Sequence, residues 1–462
     1  MAIWNKLVSR RDPKTRRPTL SEAVPPVKRP PTLPVEIWRR ILVPIVQTPV
    51  DGCANIDFPD PFASTSDPYN HDEFSPSERA AVLRLTEVCR TWRTVILEAM
   101  AEYVVVYCLD DIRAVVQRFE QSKKAAVAAG GYGLGIGRLT RRIDFRLHRQ
   151  GLHEPHLKAT TDSAIRLFEL TPNLEIYVNS NGRNSERPLH TNRRLMDALV
   201  RIHGPRLRRV EWNHAECPTW PDLAEFLRGT PNLATFSLTT IYDLHLPLPP
   251  GPPIPLEHLR HLSLGMPNTA IHYFPHSWAP LLHALSTCPE QLPALTHLDI
   301  SPFPTPEFFE VHGPKLRALR TNARDVCKWL PDALECCPNL HTLIFPPTPG
   351  IYMLQAHPAI ERIGIFPVWE TPIEVPAHIF DSYALVPLEE TLLLVEGMHL
   401  PKLRVLRLRN MGALRAVADK SLVMQTWWRR WNIRGVRFED KLGTSFGDVV
   451  SDDDALMALV RG

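Results

Sequence analysis

The sequence lacks several features that would place it in a large class of proteins. No apolar run reaches the ~18 residues that a transmembrane helix needs, so none is expected. No apolar segment follows the basic residues at the start, so we expect no secretory signal. The 53 basic and 50 acidic residues nearly cancel, which argues against a general binder of nucleic acids or membrane surfaces. We therefore expect a globular protein of the cytoplasm, the nucleus or both.

Cysteine and glycine are scarce. None of the 8 cysteines forms a C-x-x-C pair, so the sequence indicates neither a zinc site nor a disulfide framework. Most lie in apolar segments, and we expect buried, reduced thiols. Only 21 glycines stand against 46 prolines, which predicts rigid loops and frequent ends of helices and strands.

Two common catalytic signatures are also missing. The chain contains no H-E-x-x-H and no phosphate-binding loop. The alternating glycines from Gly130 to Gly137 predict a flexible link. His214-Ala215-Glu216 has the H-x-E spacing of zinc deaminases, but the P-C-x-x-C that would complete such a metal site is missing. We therefore expect a protein that is not an enzyme and that uses no metal or other cofactor.

What the sequence does have is a repeated phrase, Pro-x-Leu-x-x-apolar-x-apolar in its fullest form. Its first, fourth and sixth places are apolar, as in a short strand with one buried face. A single such strand cannot bury that face alone, but stacked copies can. A weaker ninth copy begins at Leu174, and the eight clear copies begin at Leu207, Leu233, Leu259, Leu295, Leu316, Leu340, Ile360 and Leu403.

Helical segments are predicted between these strands. Three of them open on Trp with a nearby Pro, at Trp220, Trp278 and Trp329, and proline suits the first turn of a helix. The alternation resembles a leucine-rich repeat array over roughly residues 138–410. It departs from that family in its uneven spacing and in lacking most of the expected Asn or Cys residues. The resemblance implies a solenoid with a parallel sheet on its concave side.

The N-terminal third has a different character. Residues 1–31 are rich in Lys, Arg and Pro and predict a disordered basic arm, which either serves nuclear import or is a solvated tail. Helical patterns follow at 33–42 and, after a start signal at Ser75, through 88–99. Between them, residues 47–76 have no periodicity and many turn residues, so we expect a solvent loop with no role in the core.

The two ends of this region carry a second resemblance. Leu-Pro-x-Glu-Ile from Leu33 and Val-Cys-Arg-x-Trp-Arg from Val88 resemble an F-box, a module of three helices, although the insert makes the first link about thirty residues longer than usual. With the array behind it, the chain resembles F-box proteins of the fungal type. The resemblance implies a non-catalytic substrate adaptor of a ubiquitin ligase that binds a Skp-type linker protein and, through it, a cullin. The linker-binding residues expected here are Leu33, Pro34, Ile37, Trp38, Ile41, Leu42, Val88, Cys89 and Trp92.

A protein target is expected on the other face of the strands. The residues between the apolar places of each phrase point away from the core. We expect the acidic part of a target to lie toward Arg320, Arg362 and Arg407, because arginine pairs well with carboxylates. The full set of expected target-binding residues is Glu211, Ser237, His261, Ser263, His297, Asp299, Arg320, Arg362 and Arg407.

The sequence thus predicts an α/β chain: an N-terminal three-helix F-box-like module followed by an irregular leucine-rich-repeat-like solenoid with a parallel concave sheet. The expected divisions are a basic arm (1–31), the F-box-like module with its inserted loop (32–100), a helical linker with a Gly-rich link (101–137), the solenoid with a C-terminal cap (138–438) and an acidic tail (439–462). Two other functions stay open. One is a repeat scaffold outside any ligase, and the weaker one is a nucleic-acid binder that uses the basic arm and the Trp/Arg run at 427–431.

Overall fold

A computed structural model describes residues 33–47, 62, 82, 84–130, 135–147, 154–182, 188–242, 253–265, 279–301, 306–321, 326–347, 356–365, 386–408, 421–439, 443 and 445. The predicted basic arm and most of the insert and acidic tail lie outside these residues. Among the described helices, none combines the length and the apolar composition needed to cross a membrane.

Two helices pack together at the N-terminal end. Helix α1 (Val35–Gln47) lies against α2 (Arg90–Glu102), and they share a small apolar core centred on Leu42 and Ile96. The sulfur of Cys89 caps α2 by accepting a hydrogen bond from the Trp92 amide at 3.4 Å. The third helix of the predicted module is not confirmed, because the segment that would form it lies mostly outside the described residues.

The dominant feature is one large parallel sheet. Twelve described strands lie side by side in the order β1-β2-β3-β5-β7-β8-β9-β10-β11-β12-β13-β14, and every pairing is parallel. The order runs from edge to edge without closing into a barrel. The strands are β1 (Tyr103–Val106), β2 (Arg142–Phe145), β3 (Ile176–Asn179), β5 (Arg209–Trp212), β7 (Thr235–Leu238), β8 (His261–Leu264), β9 (His297–Ile300), β10 (Ala318–Thr321), β11 (Thr342–Phe345), β12 (Arg362–Ile365), β13 (Val405–Leu408) and β14 (Arg437–Glu439). A separate pair joins β4 (Leu189–His190) to β6 (Glu216–Cys217).

The strands form where the repeated phrase predicts them. Each of the eight clear copies holds one strand, which begins two residues after the first apolar place. In the copy from Leu207, that residue, Val210 and Trp212 all lie in the main apolar cluster. The prediction that the first, fourth and sixth places face the core is therefore confirmed for this copy. The sheet also begins earlier than expected, because β1 lies within the segment predicted as a helical linker.

Helices lie between most successive strands and cover one face of the sheet. They are α3 (Leu109–Ala128), α4 (Glu154–Leu170), α5 (Arg193–His203), α6 (Trp220–Arg228), α7 (Ala279–Ser286), α8 (Pro306–His312), α9 (Leu330–Glu335), α10 (Val386–Gly397) and α11 (Ser421–Ile433). Their apolar side chains join those of the strands in one continuous cluster. Two of the predicted Trp-Pro starts are helix starts: α6 begins at Trp220, and α9 begins just after Trp329.

Hydrogen bonds between successive repeats hold the stack together. The Asn232 side-chain amide donates to the Pro205 carbonyl at 2.8 Å, and the equivalent Asn339 donates to the Pro314 carbonyl at 2.9 Å. Each asparagine is the middle residue of a Pro-Asn-Leu sequence that leads into a strand. Such bonds satisfy backbone carbonyls that turn residues would otherwise leave unpaired.

The described cysteines differ in part from the expectation of buried thiols. Cys217 and Cys337 are buried, whereas Cys89 and Cys108 are exposed at the starts of helices. Burial raises the pKa of the Cys337 thiol to about 12, which keeps that sulfur protonated and unreactive. None of the six cysteines whose side chains are described forms a disulfide.

Candidate interaction surfaces

Helix α1 is apolar on two faces, but only one of them is buried. Leu42 is 1% exposed and packs with Val46 against α2. On the adjacent face, Ile37, Ile41 and Ile45 follow one another at intervals of four residues and are each about two-fifths exposed or more. A soluble helix normally buries such a stripe. The second stripe is therefore a candidate docking surface.

Other apolar residues extend this surface. Leu33 and Val35 are exposed at the start of α1, and Val88 is 60% exposed just before α2. Pro34 and Cys89 are exposed too. Most of the residues expected to bind a linker protein therefore lie at the surface. We call Leu33, Val35, Ile37, Ile41, Ile45 and Val88 the apolar face.

Three of the expected linker-binding residues have a structural role instead. Leu42 belongs to the core of the helix pair and is not available to a partner. Trp38 and Trp92 are half-buried and meet edge to face, with ring centroids 4.9 Å apart. The ion pair between Arg39 and Glu98 joins the same two helices. These contacts fix α1 on α2 and so hold the apolar face outward.

The expected target-binding residues lie together on the sheet face opposite the helices. The strand register aligns them in two rows that cross the sheet. The first row contains Arg209, Thr235, His261, His297, Thr342 and Arg362. The second contains Glu211, Ser237, Ser263, Asp299, Arg320, Ile344, Gly364 and Arg407.

The side chains of the second row are mostly buried, although they point away from the main apolar core. Glu211, Ser237, Ser263 and Asp299 are all at most 2% exposed, and Arg320 is 5% exposed. Buried polar groups require partners, and the side chains of Glu211, Ser237 and Asp299 are hydrogen-bonded to other polar side chains of this face. The sequence pattern gives the direction of these side chains but not their burial.

Networks of charged and polar residues fill this face. Glu211 accepts hydrogen bonds from Arg209 on the same strand and from the Asn213 side chain, the latter at 2.7 Å. His261 Nε2 lies 3.1 Å from an Asp299 carboxylate oxygen, and the imidazole stacks on His297 with ring centroids 6.0 Å apart. The middle of this sheet face is therefore lined by hydrogen-bonded polar side chains that are mostly buried.

A completely buried ion pair lies near the first edge of the sheet. Arg142 donates to Asp144 from Nε at 2.6 Å and from Nη2 at 2.9 Å, and both side chains are completely buried. The Tyr103 hydroxyl donates to the same carboxylate at 2.7 Å. Burial alone would lower the pKa of Arg142, but the Asp144 carboxylate and Tyr103 raise it above its ordinary value. This pair is a structural element, because its charges are sealed from solvent.

The other end of the sheet holds an aromatic residue from the N-terminal insert. Phe62 is 3% exposed. Its ring centroid lies 4.7 Å from the guanidinium carbon of Arg407 and 5.1 Å from that of Arg362. Arg407 Nη1 also donates to the Phe62 carbonyl at 2.6 Å. The expectation of a solvent loop is therefore wrong at Phe62, which is buried although it belongs to neither apolar cluster.

The two arginines of this site are held in place by residues of neighbouring strands. Glu439 on β14 accepts hydrogen bonds from Arg407 Nε at 3.0 Å and Nη2 at 2.7 Å. Arg362 Nε donates to the Thr342 hydroxyl on β11 at 3.0 Å. The side chains of Arg362 and Arg407, with these two partners, are called the arginine clamp below.

No group of three or more His, Cys, Asp or Glu residues in the described part of the chain is arranged to hold a metal ion. Glu216, which belongs to the H-x-E sequence, is buried and accepts a hydrogen bond from the Asn181 amide at 2.7 Å. Its local role is therefore to join strand β6 to the turn that follows β3.

Comparison with known proteins gives little further information. No family model and no curated protein matches the chain. Among solved structures, a chain from the "Crystal structure of Rad7 and Elc1 complex in yeast" is similar over 72% of this chain and 93% of its own length, with 11% sequence identity and a TM-score of 0.29. A likeness at this level supports no argument about function.

Proposed function

We propose that the protein is a substrate-recognition adaptor of a Skp/cullin/F-box ubiquitin ligase. In this proposal the apolar face of α1 binds a Skp-type linker protein, and the sheet face opposite the helices binds a protein target. The chain supplies no catalytic residue and promotes transfer by holding the target near the ligase machinery.

The single observation that carries the proposal is the apolar face itself. Ile37 and Ile41 lie at positions where the sequence resembles the F-box pattern, and they are exposed although their neighbours Trp38 and Leu42 pack inward. Exposed apolar patches of this kind mark protein-binding sites. Their place next to a long repeat sheet supports a two-sided adaptor, because extended repeat surfaces typically bind other proteins.

A binding experiment with purified full-length chain and a recombinant Skp-type linker tests the first half of the proposal. Ile37→Glu combined with Ile41→Glu should lower linker binding at least about tenfold, because each carboxylate would be buried unpaired in the interface. Arg40→Glu is the matched control, since Arg40 is exposed on the same helix but is not part of the apolar face. Unaltered binding by the double variant would contradict the proposal, and no binding by the wild-type chain would favour a scaffold outside any ligase.

A further inference from the structure

The arginine clamp has the features of a ligand site rather than of a core. Phe62 is buried, yet it belongs to neither of the two apolar clusters formed by the described residues. Its ring is held by two cations, a contact that depends on the charge distribution of an aromatic ring.

The contacts made by the clamp select a ligand by two properties, an aromatic ring and a backbone carbonyl. Arg362 and Arg407 both lie within cation–π distance of the ring. Arg407 Nη1 binds a backbone carbonyl, which every peptide offers. The clamp therefore recognises an aromatic residue together with its own main chain. Glu439 orients the Arg407 guanidinium by binding Nε and Nη2, so that Nη1 remains for the carbonyl.

Next to the clamp, the second row has no side chain at Gly364, which lies between Ile344 and Arg407 and is itself buried. The sequence of the insert complements the arginines. Between residues 47 and 76 it contains no Lys or Arg, and its acidic residues are Asp51, Asp57, Asp60, Asp67, Asp72 and Glu73.

We propose that the arginine clamp is a target-binding subsite for a protein segment that carries an aromatic residue among acidic ones, and that Phe62 occupies this subsite as an internal mimic of the target. The identification of the natural occupant as a target rests on the proposed function, but the site and its chemistry do not. A tethered occupant competes effectively because its local concentration is high. A target must therefore displace Phe62 before it can bind.

The test uses the full-length chain and a fluorescent peptide that spans residues 56–68 of this same sequence. Fluorescence anisotropy measures peptide binding to the wild-type chain and to Phe62→Ala, in which the internal occupant loses its ring. We expect at least about tenfold tighter binding to the variant. Adding Arg362→Ala and Arg407→Ala to Phe62→Ala should abolish binding, whereas adding Arg404→Ala should not, because Arg404 is exposed just before β13.

Two further comparisons make the result decisive. A peptide with Phe62→Ala should fail to bind, and one with Phe62→Tyr should bind, because the second keeps an aromatic ring. Should the chain with Phe62→Ala fail to fold, Phe62→Leu provides a second variant that removes the ring but keeps apolar volume. Equal peptide binding by the wild-type chain and the folded variant would overturn the proposal, as would binding that does not depend on the two arginines.

The linker protein is absent from this assay, so its result is independent of the proposed docking on α1. A chain that binds the peptide but no Skp-type linker would keep the aromatic subsite and lose the ligase function. A chain that binds the linker but not the peptide would keep the ligase function and lose the aromatic subsite.

Discussion

The Nε2 atom of His203 lies 3.1 Å from the carbonyl oxygen of Phe168, which belongs to the preceding helix of the stack. The same contact recurs between His312 and Leu285 at 3.0 Å, and between His357 and Cys337 at 3.1 Å. Each imidazole bridges two successive repeats, and all three are buried. Repeated buried histidines are therefore part of what holds the solenoid together.

Because of these histidines, we expect the folded chain to become less stable in acid. Burial lowers the pKa of His203 from 6.5 to about 4, and it also lowers those of His312 and His357. Between these pKa values the unfolded chain binds protons more readily than the folded chain, so stability falls as the pH decreases from about 6.5 toward 4. Thermal unfolding over this range should show the decline.

Single substitutions identify the residues responsible. His203→Gln should make the decline of the melting temperature with acid less steep, because it removes one titrating group. His283→Gln should leave it nearly unchanged, because His283 is exposed on α7. A decline that is equally steep in both variants would show that other groups cause it.

Glycines permit the close approach of neighbouring repeats. A Cβ atom on Gly204 would lie 2.3 Å from the Gly229 carbonyl oxygen, and one on Gly313 would lie 2.4 Å from that of Cys336. Gly204→Ala or Gly313→Ala should therefore lower the free energy of unfolding by about 1–3 kcal/mol, because backbone must move. Gly397→Ala is the control, since nothing lies within 4 Å of the added atom. Urea unfolding that gives all three variants the same stability would contradict this packing.

We expect the free energy of unfolding to depend strongly on both residues of the buried Arg142–Asp144 pair. Asp144→Ala leaves the Arg142 guanidinium buried without its main carboxylate and should destabilise the chain by about 3–5 kcal/mol. Replacing both residues, with Arg142→Met and Asp144→Val, should cost less than the single change. Chemical unfolding of the two variants compares these costs, and a double variant that is the less stable of the two would contradict the assignment.

The charge of Arg407 should matter for stability as well as for binding. Arg407→Glu would place two carboxylates together at Glu439, which is itself buried. We therefore expect a lower melting temperature for Arg407→Glu than for Arg404→Glu, which alters an exposed arginine. Similar melting temperatures would show that the Arg407–Glu439 pair contributes little. A variant that reverses Arg320, Arg362 and Arg407 together would lose the Arg407–Glu439 pair as well as any binding of a target. Arg362→Glu alone is therefore the cleaner test of the expected preference for an acidic part of a target.

Much of the sheet could be predicted because its signal is repeated. Leu207, Val210 and Trp212 have the spacing of a half-buried strand, and the same spacing recurs along the chain. The first and last strands were harder to predict. Strand β1 is the run Tyr103–Val106, whose continuous apolar letters also fit a helix, and β14 lies beyond the last clear copy of the phrase.

The candidate surfaces could be predicted only in part. Helical spacing separates Ile41 from Leu42 by one position, and both are apolar, so the sequence did not indicate which of them is buried. The Phe62 contact joins residues 345 positions apart in the chain, and no local pattern connects them. The one sequence signal for this contact was charge, because the insert is acidic and the last strands contain arginines. The bridging histidines had a clearer sequence signal, since His-Gly-Pro precedes a strand at both His203 and His312.

Hydrogen exchange of the full-length chain with and without a Skp-type linker tests the central claim most directly. Exchange followed by mass spectrometry locates the amides that a partner protects. The account predicts slower exchange on binding in residues 33–47 and 84–93, where the apolar face lies, with the strands from β5 to β13 unaffected. Protection confined to those strands, or no protection anywhere, would contradict it.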